Sequence, residues 1–412
     1  GNEILEKGDI LIKDNRIEKI GPAGSFRTPG KAKEIDLTGK TIVPGFVDTH
    51  SHMWPSWGLH KNQVWLYSAN LAYGVTTTRD PQTATTDVLT YEDLVRTGEI
   101  DGPRIYSTGP GVFWNEQIKN LDHAKKILSR YSKYYDTKTI KMYVAGNREQ
   151  RQWIIQAAKE QELMPTTEGS LNFKQNLTQV IDGYPGHEHS FPVFPLYSDV
   201  KKLVQEMQTT YTPTLLVAYG GPWAENYFYT RENPHDDAKL RYFTPHEEID
   251  EKTLRRGQGA GPGPGGWFHE DEHVFDELAK FVKDLVEAGG KAGVGSHGQL
   301  QGLGYHWELW AITSGGISNH DALKVATIFG AEGIGLEKEL GSLEPGKLAD
   351  LVILEKNPLE NIRNTNTIEM VMMNGRLYNG NNLNKIYPEE KPAGTFYWKT
   401  REPENVPGIK GE

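Results

Sequence analysis

The middle of this chain alternates strand-like and helix-like segments, and that rhythm restricts the fold more than any other feature. Short apolar stretches closing on polar residues or glycine recur as GFVDTHSHM, VTTTRD, RIYSTG, TIKMYVAG, MPTTEGS, GHEHSF, TPTLLVA and AGVGSHG. Between them, segments at 61–73, 120–131, 148–161, 199–209 and 271–288 read as helices. Eight strands joined through helices predict an α/β fold with parallel pairing, closed into a (β/α)8 barrel of the TIM type. The 412 residues hold such a barrel, which takes about 250, with a smaller domain besides.

Both ends of the chain follow a different period. DILIKDNRIEKI (9–20) alternates apolar and polar residues around Asp14-Asn15, a hairpin pattern. ADLVILEKN (349–357) and TIEMVMMNGRLYN (367–379) repeat it, the latter around an Asn-Gly turn. The expectation is a composite β-sandwich domain from residues 1–43 and 335–390, a barrel over 44–334, and a tail over 391–412. That tail is rich in Pro, Lys and Glu and is expected to be extended and weakly ordered. Residues 219–272 are long for a βα connection and contain GQGAGPGPGG (257–266), which no regular element tolerates. A mobile excursion over one barrel face is expected there, either a lid or a linker.

A formal net charge of −10 without a basic stripe argues against nucleic-acid binding, which needs clustered Lys and Arg. No apolar run reaches the roughly 18–20 residues of a membrane span, and no signal-peptide pattern stands at the start, so a soluble chain is expected. The chain opens on Gly1 with residues already strand-like, as expected of a piece of something longer or of a processed product. With no cysteine in the chain, any metal must be held by histidine, carboxylate or modified lysine.

His50-Ser51-His52 follows the apolar strand IVPGFVD. In extended backbone residues i and i+2 point the same way, so both imidazoles can face one barrel mouth and share an ion. Spacing alone is weak, since chance gives roughly 0.4 such pairs in a chain with 13 histidines, and His187 and His189 form a second. The position strengthens it, because barrel enzymes place their chemistry at the carboxyl ends of the strands. Trp54, Trp57, Trp114 and Trp223 lie near strand ends and could wall an apolar or ring-bearing substrate, although packing is the commoner reason for a tryptophan.

Taken in order, PGFVDTHSHM, GVTTTRD, TIKMYV, GHEHSF and GSLEPGKLADLVIL resemble the amidohydrolase superfamily over nearly the whole chain. The branch resembled most is that of imidazolonepropionase-like and Xaa-Pro dipeptidase-like enzymes. The resemblance implies a binuclear centre. A strand-one HxH pair binds one ion, and a strand-four lysine, carboxylated to a carbamate, bridges both. Histidines of strands five and six bind the second ion, and a strand-eight aspartate binds metal and carries protons. Matched residue by residue, His50 and His52 are the first pair, Lys141 the bridging lysine and His189 the strand-six ligand. For Lys141 the ordinary outcome outside such a centre is a solvated ammonium.

Two positions depart from that pattern. Strand five offers Glu168 instead of histidine, and strand eight offers His297 instead of aspartate. The paired exchange preserves the number of histidines and carboxylates, so both are expected to function, as ligands or as proton carriers. Asp48, Arg79, Asp80 and Glu188 flank the ligand strands and are expected to orient them, since metal-bound imidazoles need a partner for the other ring nitrogen. His306 and Glu308, in GYHWELW, could support the centre or face the substrate.

The resemblance implies hydrolysis of an amide-like C–N bond in a small peptide or cyclic amide by metal-activated hydroxide. Zinc is the expected ion, with manganese, iron and cobalt open. Lactone or phosphoester hydrolysis on the same site, or an inactive binding or scaffold module, are the alternatives. Relatives with this motif set can follow a β-propeller, which implies such a domain in the same longer chain and a periplasmic or secreted setting. A homo-oligomer stays open.

Overall fold

A computed structural model describes residues 3–55, 62–82, 85–113, 116–219, 221–253 and 268–399. The hairpin read around Asp14-Asn15 is formed by β1 (Gly8–Lys13) and β2 (Arg16–Pro22), antiparallel, with Asp14 in left-handed backbone at φ 56°. Next come β3 (Thr41–Pro44), β4 (Phe46–Asp48), β5 (Val75–Asp80), β6 (Arg104–Ser107), β7 (Val112–Phe113) and β8 (Thr139–Tyr143). β9 (Met164–Glu168), β10 (Gly186–Glu188) and β11 (Thr210–Thr212) complete the middle, and β12 (Leu351–Leu354), β13 (Ile368–Met373), β14 (Arg376–Asn379) and β15 (Lys385–Tyr387) close the chain.

The middle of the chain is α/β with parallel sheets, as the alternating segments predict. β4, β5 and β6 form one parallel sheet, and β7 to β11 a second in the order β11-β10-β9-β8-β7. The eighth predicted strand, AGVGSHG, is reduced to two parallel bridges. Ala292 pairs with Tyr211 of β11 and Val294 with Asp48 of β4, so residues 292–294 link the two sheets in a TIM-barrel-like arrangement. Glycine is required in this segment. A Cβ on Gly293 would lie 2.5 Å from Thr49 Oγ1, and one on Gly295 would lie 2.5 Å from Thr212 Cγ2 and 2.8 Å from His50 Cβ.

Helices Leu121–Ser129, Arg148–Glu160, Ser198–Glu206 and Phe275–Glu287 fall within a few residues of the expected spans. Each has an apolar stripe turned inward, such as Leu278, Phe281, Val282 and Leu285 in the last. No helix among the described residues is long and apolar enough to cross a membrane.

The two chain ends meet, as their shared period suggests. β3 pairs antiparallel with β12 in the five-stranded sheet β15-β14-β13-β12-β3. Ile17 of the hairpin packs with Leu351, Ile353, Met372 and Leu377 of that sheet. The Asn374-Gly375 turn (φ 55° and 73°) sits against the Asp14 turn, where a Cβ on Gly375 would come 2.3 Å from the Asp14 carbonyl.

Two expectations need correction. Residues 221–253 of the long connection are packed rather than a free excursion. They form helices Ala224–Arg231, Ala238–Phe243 and His246–Thr253, and Phe228 stacks on Trp307 with ring centroids 5.1 Å apart. The aromatic area they bury outweighs the disorder that glycine and proline nearby suggest. GQGAGPGPGG lies outside the described residues. The start of the tail is also ordered. Phe396 and Trp398 are buried and stacked 4.5 Å apart, Phe396 packs on Phe243, and Trp398 Nε1 donates to the Tyr242 carbonyl at 3.1 Å. Composition misled here because TFYW supplies apolar area that the surrounding Pro, Lys and Glu mask. Residues 400–412 lie outside the described residues.

Candidate metal centre

Four imidazoles from three strand ends converge. The His50 ring lies 5.3 Å from His52, 5.0 Å from His189 and 4.9 Å from His297, centroid to centroid, and His52 lies 4.7 Å from His297. Ligand atoms of His50, His189 and His297 lie within 4.8 Å of one another. His50 and His52 leave β4 together, as the i, i+2 rule predicts. The other two reach the cluster by a different device, since His189 and His297 follow their strands in left-handed backbone, at φ 71° and 60°. Such conformations cost roughly 1–3 kcal/mol in non-glycine residues and gather at functional sites.

The turn at His189 also separates it from His187. Glu188 and His189, neighbours in sequence, both reach the cluster, while His187 packs against Phe191 and Tyr211. Only one member of the second HxH pair is therefore available to the centre.

Three of the four rings are oriented through one nitrogen. His50 Nδ1 donates to Glu188 Oε2 at 2.7 Å, His52 Nδ1 donates to the Gln82 carbonyl at 3.1 Å, and His189 Nδ1 bonds Thr214 Oγ1 at 2.5 Å. Glu188, fully buried, also accepts from Arg79 and from Thr166 Oγ1. Arg79 in turn donates to the Thr49 carbonyl at 2.8 Å. Asp48 ties the strand-one and strand-eight loops together, accepting from His50 N at 3.1 Å and from Ser296 Oγ at 2.6 Å. Asp80 accepts from Ser107 Oγ at 3.1 Å and from Gln82 N at 3.4 Å, and so steadies the carbonyl that holds His52.

The donor set fits a divalent metal ion. His50 Nε2 is buried with no hydrogen-bond partner, an expensive state for a lone pair that a cation would relieve. Burial, then the charges of Lys141 and the neighbouring imidazoles, hold the His50 pKa well below its ordinary value. His52 is pushed down to about 4, by burial first and Lys141 second. Neutral imidazole is the form that binds metal.

Lys141 on β8 and Glu168 on β9 meet at this cluster. Lys141 Nζ lies 2.6 Å from Glu168 Oε2, and Glu168 Oε1 lies 2.9 Å from His189 Nε2. Lys141 has no exposed surface. Burial pushes the Glu168 carboxyl up, but His189 and Lys141 outweigh it and hold the group ionised.

His306 and Glu308 do not face a substrate. His306 is buried between Thr365 Oγ1 and the Tyr73 carbonyl, each at 3.0 Å, and Glu308 accepts from Leu215 N and Leu216 N. They sit mid-helix in Leu303–Ser314, which is buried on all sides. Of the tryptophans, Trp54 and Trp223 are half-buried, and Trp57 and Trp114 lie outside the described residues. Exposed apolar side chains lie instead at Leu171, Val193 and Phe194, just beyond Glu168 and His189. Thr166, Thr214, Ser296 and Tyr219, whose ring lies 5.9 Å from His189, were not anticipated. Strand parity points to Thr166, two residues before Glu168; nothing local marks Thr214.

Residues 273–378 match the amidohydrolase family. The fold is similar to that in the crystal structure of a Xaa-Pro dipeptidase with bound methionine in the active site, with a TM-score of 0.67 at 19% identity over 90% of this chain and 95% of that one. Together these similarities support the amidohydrolase superfamily for this chain. Within it, 5-methylthioadenosine/S-adenosylhomocysteine deaminase of Thermodesulfovibrio yellowstonii aligns at 22% identity over 96% of the chain and 94% of the relative. The enzyme of that name from Teredinibacter turnerae is 45% identical over 62 residues, 15% of this chain, and the match spans only 14% of that relative's length.

In this chain, Glu188→Gln is expected to weaken metal binding by about 10–100-fold, because partners that orient a ligating histidine carry that much affinity. Competition with a fluorescent chelator measures it. An unchanged affinity would mean that Glu188 does not set the tautomer of His50.

Proposed function

We propose that this chain is a metal-dependent hydrolase of amide-like C–N bonds, in small peptides or cyclic amides. The observation that carries the reading is the unpartnered His50 Nε2 at the heart of four converging imidazoles. His50, His189 and His297 would hold the ion, with His52 and Glu168 in reach. A bound divalent ion supplies a water acidified from a pKa of about 15.7 toward about 7 and polarises the scissile carbonyl.

The chain's own groups do the rest. Glu188 and Thr214 fix the rings of His50 and His189 so that the remaining nitrogens face inward. Glu168 Oε1, beside His189 Nε2, is placed to take the proton of the attacking water and return it to the leaving nitrogen. Leu171, Val193 and Phe194 suit a substrate with an apolar side chain. In this reading the parallel strands close into a complete (β/α)8 barrel over 44–334, and the two chain ends form the composite β-sandwich of 1–43 and 335–390.

Treatment with a strong chelator is expected to abolish hydrolysis of dipeptides and cyclic amides, and added zinc, manganese or cobalt to restore it. Full activity in protein shown by elemental analysis to be metal-free would refute the reading. A metal-loaded protein turning over only lactones or phosphoesters would move the substrate class and keep the site.

A further inference from the structure

We infer that this centre holds one divalent ion, and that Lys141, as an unmodified ammonium, supplies the positive charge a second ion would bring, with Glu168 linking the two. The inference rests on the metal-hydrolase reading and deepens it. Glu168 spans the gap with both oxygens, Oε2 at 2.6 Å from Lys141 Nζ and Oε1 at 2.9 Å from His189 Nε2.

Among the described residues, one group of three or more histidine or carboxylate atoms converges closely enough for an ion, that of His50, His189 and His297. A second ion would have to be held by what remains, His52 and Glu168, beside an ammonium that repels it. The two departures from the family pattern explain the change. Exchanging the strand-eight aspartate for His297 and the strand-five histidine for Glu168 moves the carboxylate next to the strand-four lysine. β8 and β9 are parallel neighbours, with Lys141 paired opposite Thr166 two residues before Glu168.

Carbamate formation would reverse that fit. The Lys141 ammonium first gives up a proton to become an amine, which attacks the carbon of CO2; a C–N bond forms, one C–O π bond opens to a carboxylate oxygen, and the nitrogen releases a second proton. Lys141 would pass from a cation to an anion beside Glu168 Oε2, inside a site where its side chain has no exposed surface. Two anions so placed need cations on both, and besides the carbamate itself the histidine and carboxylate groups of this cluster left for a second cation are His52 and Glu168.

The test counts ions in the purified full chain saturated with zinc and dialysed, by plasma mass spectrometry. In parallel, 13C NMR is recorded after equilibration with 13C-bicarbonate. One zinc per chain and no carbamate carbon are expected. Lys141→Arg, which keeps the charge but cannot form the carbamate, is expected to hold zinc within about threefold of the parent affinity. Two zinc ions per chain with a carbamate resonance, or a folded Lys141→Arg protein about a hundredfold weaker for zinc, would overturn the inference and leave the hydrolase reading intact. Protein that takes up no ion overturns both.

Discussion

Replacing His297 is expected to strip the centre of its ion and lower kcat/KM by about a thousandfold or more, since the metal supplies several kcal/mol of transition-state stabilisation. His297 lies 4.9 Å from the His50 ring and 4.7 Å from the His52 ring, so its loss opens one side of the cluster. The substitution needs a backbone control, because φ at this position is 60°. Alanine keeps the left-handed strain that His297 already bears and has no polar side chain to offset it, whereas asparagine tolerates left-handed backbone and removes only the imidazole. His297→Asn and His297→Ala should therefore fall together in zinc content and activity, with the alanine variant melting lower. Retained zinc and turnover in the asparagine variant would remove His297 from the site. That result would also favour an inactive scaffold if the parent protein shows no turnover.

The second large effect is on stability. Glu308→Ala leaves the amides of Leu215 and Leu216 without the carboxylate that accepts them at 2.7 and 2.8 Å, in the buried interior. Each stranded donor costs about 1–3 kcal/mol, so the loss is roughly 2–6 kcal/mol before any cavity is counted. That is a large fraction of the roughly 5–15 kcal/mol that holds an ordinary domain folded. Burial lifts the Glu308 carboxyl to about 8 although the two amides pull it down, which measures how dry the place is. The damage should spread to the centre, because Thr214, just before Leu215, sits at φ 47° and bonds His189 Nδ1. Thermal melting followed by circular dichroism, with zinc affinity alongside, checks both. Glu308→Gln keeps one acceptor and should lose less. An alanine variant melting within ~1 °C of the parent would show that the two amides find other partners.

Much of the architecture is legible because it depends on local period and turn chemistry. Asp14-Asn15 and Asn374-Gly375 mark their hairpins, since few residues accept left-handed backbone. The strand and helix segments of the middle carry their own apolar patterns, and the β4 parity sends His50 and His52 the same way. What the pattern misjudged were places where distant packing decides. Residues 221–253 and 391–399 look loose by composition and are ordered by Phe228 on Trp307 and by Phe396 on Trp398.

The sequence by itself determined which side chains stand at strand ends, that histidine and carboxylate are the candidate donors, and that Glu168 and His297 depart together from the familiar pattern. Only the tertiary structure decided which of them meet. It sends His189 to the cluster and His187 to Phe191, buries His306 and Glu308 as supports, and pairs Lys141 with Glu168. The reason is physical. Period and propensity act over a few residues, whereas the contacts of a buried charge are set by groups far apart in sequence, as with Glu308 and Leu215, 93 residues apart.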